Sequence, residues 1–482
     1  MSHGTIFPYP PIMAADGVGE LLEDTGRTTD DAGGDEAIGG DGPVVALVVA
    51  GSRGDAQPFV ALGRELRLRG ARPVLMTHAE HRPLATVHGV AFVQLPGDPR
   101  AMLATRAGLE LLDSRDLVRS LGGLRDLAAD LVDEVITTLE GALADVDVVV
   151  FSTLAVAAYH VAEAHGVPAI WAVLQPVTET REWPSLLVAP GRDLGGMLNL
   201  ASHRVADRLA WWMLAPGLTA YRRRLGLPRF ERGQIRESMV TLGGWSQQLA
   251  PRPQDWPPRV AVTGAWRLPV TAEPELPPAV AEFLADGPSP VYIGMGSATV
   301  PDPAAVTDMF LAAARDVGVR VVLSSGWAGL GRTGASDVVA AGGTGLGAGV
   351  GAGADAGAVE IDPGVLVVGD VSHGHLFPQC AAIVHHAGAG TTHTALAAGV
   401  PQVPTPFWAD QGFWAARMQN LGVAVTPVPK RAWSRAALAC AVAQATGEPW
   451  RAVRAARVAR IEREHDGTLA AAATIVAAAQ GR

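Results

Sequence analysis

One segment, HHAGAGTTHTALAAGVPQVPTPFWADQ at residues 385–411, sets a small-residue turn before a helix start and an Asp-Gln pair after the next apolar run. The preceding AAIV at 381–384 has the character of a buried strand, and the spacing predicts a helix over 394–398. A strand, a glycine turn and a helix start in that order can hold an anion, because free backbone N–H groups and the helix dipole converge there. Gly388 and Gly390 let a phosphate approach closely, His386 can donate a hydrogen bond to it, and Thr391 and Thr392 offer hydroxyl donors. Asp410 and Gln411 supply a carboxylate and an amide able to grip sugar hydroxyls. Glycine turns alone are common in α/β proteins. The histidine pair, the Thr-Thr and the downstream Asp-Gln together point to a sugar diphosphate.

A second chemical group lies near the other end of the chain. Asp55 sits in GSRGDAQPF, directly after the apolar run VVALVVA at 44–50. Loops at the carboxyl ends of parallel strands face the crevice of an open sheet, so a carboxylate there can act as a general base. The competing reading makes Asp55 the N-cap of the helix containing Phe59, with Pro58 in its first turn. As a base it would need partial desolvation, since a free aspartate with a pKa of about 3.9 is a poor base at neutral pH.

The 385–411 segment resembles the donor-site signature of the UDP-sugar glycosyltransferases built from two facing Rossmann-like domains, the GT-B fold, and within them the branch of sterol glucosyltransferases and bacterial antibiotic glycosyltransferases. The block at 44–78, the stretch FVQLPGDPRAML at 92–103 and PVYIGMGSATV at 290–300 are similar to further blocks of the same branch. The resemblance runs in family order over 44–422 and implies roles for individual residues. Asp55 falls at the position of the base or base-positioning residue. Ser52, Arg53, Gly54, Ser297, Ser325, Trp327, His386, Gly388, Gly390, Thr391, Asp410 and Gln411 fall at donor-binding positions. The plant relatives' histidine has no counterpart in 51–54, and Ala387 and His393 depart from the usual HHGGAGTT-Ala pattern, His393 reading as a helix-surface residue. The implied reaction is inverting transfer of a hexose to a hydroxyl of a hydrophobic acceptor such as a sterol-like molecule or a polyketide. UDP-glucose is the first-choice donor and a dTDP-deoxysugar the main alternative. No cofactor and no metal is implied, since no DxD-type motif stands where such a site is expected. An inactive nucleotide-sugar-binding auxiliary protein and a sugar-nucleotide epimerase are the rival readings. Asp55 beside His386, Asp410 and Gln411 argues against the first, and the Asp-Gln pair against the second.

The elements that must position these residues alternate between strands and helices. Apolar runs at 44–50, 73–76, 146–152 and 168–174 predict buried parallel strands, and a helical pattern runs over 58–69. A second alternating set follows at 290–296, 319–325, 365–370, 381–386 and 400–406. The expected organisation is an acidic tail over 1–42, a first domain over 43–250, a proline-rich linker over 251–261 and a donor domain over 262–450. Apolar helical patterns close the chain, and the resemblance implies a helix over 451–482 that crosses back to the first domain. The Gly/Ala-rich stretch 331–357 cannot bury a core and reads as a flexible insertion. Trp183, Trp211, Trp212, Tyr221 and Trp245 punctuate 175–245, which the resemblance assigns to the acceptor cleft, though ordinary core packing explains any single one as well.

Composition bounds the rest. A chain of 482 residues, 48% hydrophobic and 18% charged, suits two globular domains. A net charge of −10 argues against binding a nucleic-acid backbone. Two cysteines form no framework, the first 41 residues lack a secretory pattern, and no run reaches the ~20 apolar residues of a membrane span. These features predict a cytoplasmic protein with at most peripheral membrane contact, and they leave the oligomeric state open.

Overall fold

The computed structural model describes residues 41–104, 131–230, 239–331 and 358–480. The acidic tail and nearly all of the Gly/Ala-rich stretch lie outside the described residues.

Two sheets form, each from short apolar runs that read as fully buried strands. The first holds β1 (Val44–Val48), β2 (Arg72–Thr77), β3 (Ala91–Gln94), β4 (Val148–Phe151), β5 (Ala169–Val173), β6 (Thr241–Gly243) and β7 (Val260–Val262). Its order is β3-β2-β1-β4-β5-β6-β7, and every pair is parallel. The second holds β8 (Val291–Gly294), β9 (Val321–Ser324), β10 (Val359–Asp362), β11 (Val365–Val368), β12 (Ala382–His385) and β13 (Gln402–Pro404), ordered β10-β11-β9-β8-β12-β13. Only the edge strand β10 runs antiparallel. The two sheets make the GT-B architecture.

Strand order fixes where ligands can lie. In the first sheet the order reverses between β1 and β4, and in the second between β8 and β12. Loops leaving the two strands at such a switch point diverge to opposite faces and open a crevice at the carboxyl ends. The loop after β1 carries Asp55, and the loops after β8 and β12 carry Ser297 and His386.

Three differences from the sequence expectations have simple causes. The helix after β1, here α1 (Arg53–Leu68), begins at Arg53, so Pro58 is its sixth residue and lies inside the helix rather than in the first turn expected, where its missing N–H leaves the Gly54 carbonyl without its helical donor. The proline-rich stretch does not join the sheets directly but leads into β7, whose parallel partner is β6. The C-terminal region forms two helices. Pro449–Glu464 packs on the donor-side helix Ala389–Ala398, and Gly467–Gln480 crosses to the first sheet. Ala471, Ala472 and Ile475 of the crossing helix are buried in one core with Phe59 and Leu62 of α1. Each fully buried Leu, Ile or Phe there contributes about 1.5–3 kcal/mol, enough to tie the chain's end to its beginning.

Among the described residues no helix is long and apolar enough to cross a membrane. Cys380 and Cys440 are both free thiols.

Candidate functional site

A cleft of about 1040 Å³ lies between the two sheets, and its walls include Asp55 and the twelve residues that the resemblance places at donor-binding positions, but not Thr392. Each wall is built from a strand end, a tight turn and a helix start.

On the first wall β1 runs into Gly51, whose φ of +133° is open to glycine alone. A Cβ on Gly51 would lie 2.3 Å from Asp55 Oδ2, so the side chain of Asp55 can fold back only over a glycine. There Oδ2 accepts from the Ser52 backbone N–H at 2.9 Å and from the Ser52 hydroxyl at 3.2 Å. The N-cap reading of Asp55 is therefore corrected. Ser52 occupies the cap position of α1, and Asp55 is the third helical residue, reaching back as the acidic half of a capping box. Burial pushes the Asp55 carboxyl up to about 6, against the opposing pull of the two Ser52 hydrogen bonds. Asp55 is thus both structurally satisfied on one oxygen and poised close to neutrality.

Arg53, the first residue of α1, is exposed and forms an ion pair with Asp370 of the second domain. It spans the cleft rather than lining one side of it. Arg100 makes a second crossing, with its guanidinium 6.0 Å from the centroid of the Trp327 ring.

The second wall starts at β12. His385 points inward, with Nε2 2.9 Å from Gln402 Oε1, and its Nδ1 accepts the Ala387 N–H at 3.2 Å. It is the structural member of the histidine pair and holds the turn in place. Ala387 is fully buried with φ +66°, a left-handed conformation that costs a non-glycine residue about 1–2 kcal/mol. His386 faces the cleft between two glycines. A Cβ on Gly296 or Gly388 would come within 2.5 or 2.4 Å of its ring, so both glycines are required for the ring to fit. Burial lowers the His386 pKa to about 4, which makes it a neutral imidazole at physiological pH. Its Nδ1 is buried and, among the described residues, meets no hydrogen-bond partner. Such a nitrogen is costly unless a ligand pairs with it.

The helix after this turn, Ala389–Ala398, starts five residues earlier than the sequence pattern predicts, because the glycine turn already carries its first residues. Thr391 lines the cleft. Thr392 is fully buried and does not, which corrects its expected role as a donor to phosphate. Gly390 points at α1: a Cβ on it would sit 3.7 Å from the Gly54 carbonyl oxygen. The amino termini of two helices, one from each domain, therefore meet at one place in the cleft. Their dipoles put positive potential on the same point.

His393 is not the surface histidine expected. It is buried, its Nδ1 lies 2.6 Å from the Ala389 carbonyl, and its Nε2 accepts the Ser246 N–H at 3.1 Å. Ser246 donates in turn to Glu462 at 2.5 Å, so one polar network joins the first domain, the donor-side helix and the C-terminal helix.

Asp410 and Gln411 open the helix Gln411–Leu421, after Ala409 with φ +53°. Trp414 Nε1 donates to Asp410 Oδ2 at 2.9 Å. Burial raises the Asp410 carboxyl to about 6, the Trp414 hydrogen bond opposes this, and the charge of Asp55 across the cleft adds to the rise. Gln411 Oε1 accepts from the N–H groups of Phe407 at 2.8 Å and Trp408 at 3.3 Å. Its amide oxygen is occupied by the backbone, so toward a ligand Gln411 presents its NH₂ as donor.

Ser297, Ser325 and Trp327 complete this wall. The Trp327 N–H bonds the Gly296 carbonyl at 3.0 Å, which ties the loop after β9 to the loop holding His386. The expected aromatics of 175–245 are not in the cleft. Trp183, Trp245 and Tyr221 are core residues, and that region contributes Val177, Leu186 and Leu187 instead.

Sequence reasoning missed two histidines. His81 lies beside Gly51, with Nε2 3.1 Å from its carbonyl, and His373 bonds the Tyr292 hydroxyl at 3.0 Å while stacking on Phe377. Both line the cleft. Each follows a strand directly, in THAEH and VSHGHLF, the position that flagged Asp55. Among the described residues no group of three or more His, Cys, Asp or Glu side chains is placed to hold a metal ion.

Two switch-point crevices facing each other, with helix starts converging between them, define the GT-B fold. The chain belongs to the family 28/erythromycin CIII-like glycosyltransferases. Residues 45–184 match the glycosyltransferase family 28 N-terminal domain, and residues 348–466 match the erythromycin biosynthesis protein CIII-like C-terminal domain. Curated relatives include a sterol 3-beta-glucosyltransferase of Pichia angusta, 31% identical over 79% of this chain and 29% of its own length. Another is a sterol 3-beta-glucosyltransferase of Arabidopsis thaliana, 33% identical over 80% of this chain and 60% of its own length. The chain thus spans 29% and 60% of these two relatives. Among solved structures, the glycotransferase of kitacinnamycin superposes with a TM-score of 0.61 at 21% identity, covering 91% of this chain and 99% of that one. The glycosyltransferase VinC in complex with dTDP superposes with a TM-score of 0.60 at 18% identity, with the same coverage. These two share the fold.

Proposed function

We propose that the protein moves a hexose from a nucleotide diphosphate sugar to a hydroxyl of a hydrophobic acceptor, with inversion at the anomeric carbon. UDP-glucose is the donor we favour and a dTDP-deoxysugar the alternative. The observation that carries the reading is the placement of Asp55, half-buried and raised to about 6, on the wall opposite His386, Asp410 and Gln411. The two sterol-specific relatives support a sterol-like acceptor, and Leu154, Leu174, Val177, Leu186 and Leu187 supply apolar lining on the first-domain side.

In this reaction the acceptor hydroxyl gives its proton to the Asp55 carboxylate as its oxygen attacks the anomeric carbon. The bond from that carbon to the diphosphate oxygen breaks, and its electron pair leaves with the diphosphate. The facing helix starts, the Gly388–Gly390 backbone and the neutral His386 receive the growing charge without reorganising. Thr391 and the Ser52–Gly54 turn add donors. Asp410 accepts from sugar hydroxyls and Gln411 donates to the sugar, which orients the anomeric carbon for attack. A base near pKa 6 is largely ionised at pH 7, yet is about a hundredfold more basic than an unperturbed aspartate.

The test is a screen of labelled UDP-glucose, UDP-galactose and dTDP-sugars against sterols and polyketide alcohols in the presence of EDTA. A β-linked product from α-linked UDP-glucose, formed without added metal, is the expected result. An α-linked product overturns the inverting mechanism. Activity that is lost to EDTA and restored by Mg²⁺ or Mn²⁺ overturns the assignment of the leaving group to protein dipoles. Tight nucleotide binding with no transfer to any acceptor favours the auxiliary-protein reading.

A further inference from the structure

Away from the cleft, a second cavity of about 270 Å³ opens where α1, the turn after the helix Arg82–Val87 and the segment between β7 and β8 meet. Its walls carry Arg64, Arg67 and His88, with Thr86, Gly89 and Ala272, and no Asp or Glu lines it. Arg64 and Arg67 stand three residues apart on α1 and so share one face of it. The carboxylates that adjoin these residues in sequence are engaged elsewhere. Glu65 bonds Arg69 at 2.9 Å, and Glu273, beside Ala272, lines the main cleft and accepts from the Ser372 hydroxyl at 2.5 Å.

Among the described residues, Arg64, Arg67 and His88 form no ion pair and no side-chain hydrogen bond. The Arg67 Nε is buried and meets no acceptor. Its guanidinium lies against Gly89, where φ is +64° and a Cβ would come within 3.0 Å of Nη1, so a glycine makes its room. His88 is 6% exposed, and neither ring nitrogen is bonded to protein. Buried donors of this kind are costly unless something in the cavity pairs with them. Burial, then the charges of Arg64 and Arg53, hold the His88 pKa below the usual imidazole value, so at pH 7 the neutral ring has one N–H to donate. Thr86 is no donor, because its hydroxyl gives its proton to the Arg82 carbonyl at 3.0 Å. Arg67 also answers the negative end of the α1 dipole, but that end carries only about half a charge. Arg64 brings a second whole charge to the same cavity. Guanidinium forks pair with the oxygens of a tetrahedral oxyanion better than with a single spherical ion.

We propose that this cavity is a second anion site, which takes a phosphate group, free or as a small monoester, on Arg64, Arg67 and His88. The bound oxyanion meets α1 on one side and the segment between the two sheets, at Ala272, on the other. Its occupancy therefore fastens the first domain to the joint between the sheets. The site does not depend on the transfer reaction, so it is read with no sugar nucleotide present.

The experiment is calorimetric titration of the full chain with inorganic phosphate and with glycerol phosphate, each against chloride at matched ionic strength. The wild type is expected to bind both and to melt at a higher temperature in their presence. Arg67→Gln and, separately, Arg64→Gln are each expected to weaken that binding about tenfold or more. Near-UV dichroism and thermal melts in chloride establish that both variants fold. The main cleft also attracts phosphate, so His386→Ala is the control: the binding event that Arg67→Gln weakens is expected to persist in it. Tighter binding of glycerol phosphate than of inorganic phosphate supports a monoester as the occupant, and equal binding supports the free ion. Wild type that binds neither at millimolar concentration overturns the proposal. So does phosphate binding that both arginine variants retain at parental affinity, or that His386→Ala alone abolishes.

Discussion

The two walls of the cleft are built by the same device and tuned in opposite directions. On the first wall a glycine turn after β1 lets Asp55 fold back to Ser52, leaving a partly exposed carboxylate with one oxygen bonded to its own turn. On the second a glycine turn after β12 clamps His386 between Gly296 and Gly388, buried, neutral and with one nitrogen unpaired. Burial raises the Asp55 carboxyl pKa and lowers the His386 imidazole pKa, both by disfavouring the charged form, and at pH 7 the carboxylate stays largely ionised while the imidazole is neutral. The facing helix starts place the positive potential of their backbone dipoles beside His386. The comparison assigns proton transfer to the first wall and charge stabilisation to the second.

The largest expected effect comes from the first wall. Asp55→Asn keeps the shape and the contact with Ser52 but removes the base, so kcat is expected to fall about 10²- to 10⁴-fold in steady-state assays. Nucleotide affinity, measured by calorimetry, stays near the parent's. Turnover close to the parent's would return Asp55 to its capping role and break the division between the walls.

On the second wall, His386→Ala removes the unpaired nitrogen that the diphosphate is expected to meet. Affinity for UDP should weaken by about 1.5–3 kcal/mol, the range for a hydrogen bond to a charged oxygen. Because the ring is neutral above its pKa of about 4, the loss should be constant from pH 5 to 8. A loss that grows as pH falls through 6 would mean that the ring binds as a cation, and the contrast between the walls would need redrawing.

Sugar choice sharpens the same wall. Gln411 keeps only its NH₂ for ligand, and Asp410 keeps its second oxygen. Gln411→Glu therefore replaces a donor by an acceptor and should lower kcat/KM for UDP-glucose more than for a deoxysugar donor. An unchanged ratio between these donors would remove Gln411 from sugar recognition.

The smallest effect concerns the turn itself. Ala387→Gly relieves the left-handed φ at a buried position but adds freedom to the unfolded chain. A gain of about 0–1 kcal/mol in denaturant midpoints is expected, with nucleotide affinity unchanged. Destabilisation by more than that would show that the methyl group packs usefully against its neighbours.

The sheets were legible because parallel strands buried on both faces read as continuous apolar runs, as VVALV and AIVH do. The short strand Val260–Val262 and the exposed edge strand Val359–Asp362 lacked that signal. Asp55, His386, Asp410 and Gln411 were legible because each follows a strand directly. What one sequence could not give was the pairing of segments far apart in it. His393 looked like a surface residue because the partner that buries it, Ser246, lies 147 residues away. His81 looked unremarkable until Gly51 came beside it. The occupied oxygen of Gln411 is likewise a property of the turn and not of the residue type.

Two carboxylates in the cleft, Asp55 and Asp410, are both raised to about 6, so the wild-type pH profile alone does not distinguish them. The decisive measurement is kcat against pH from 4.5 to 8 for the wild type and for Asp55→Asn. A base must be ionised to accept a proton, so the wild-type rate is expected to fall with unit slope as pH drops through about 6. The residual rate of Asp55→Asn is expected to lose that acid limb. An acid limb that persists unchanged in Asp55→Asn would assign the titration to another group, Asp410 first, and would contradict Asp55 as the base.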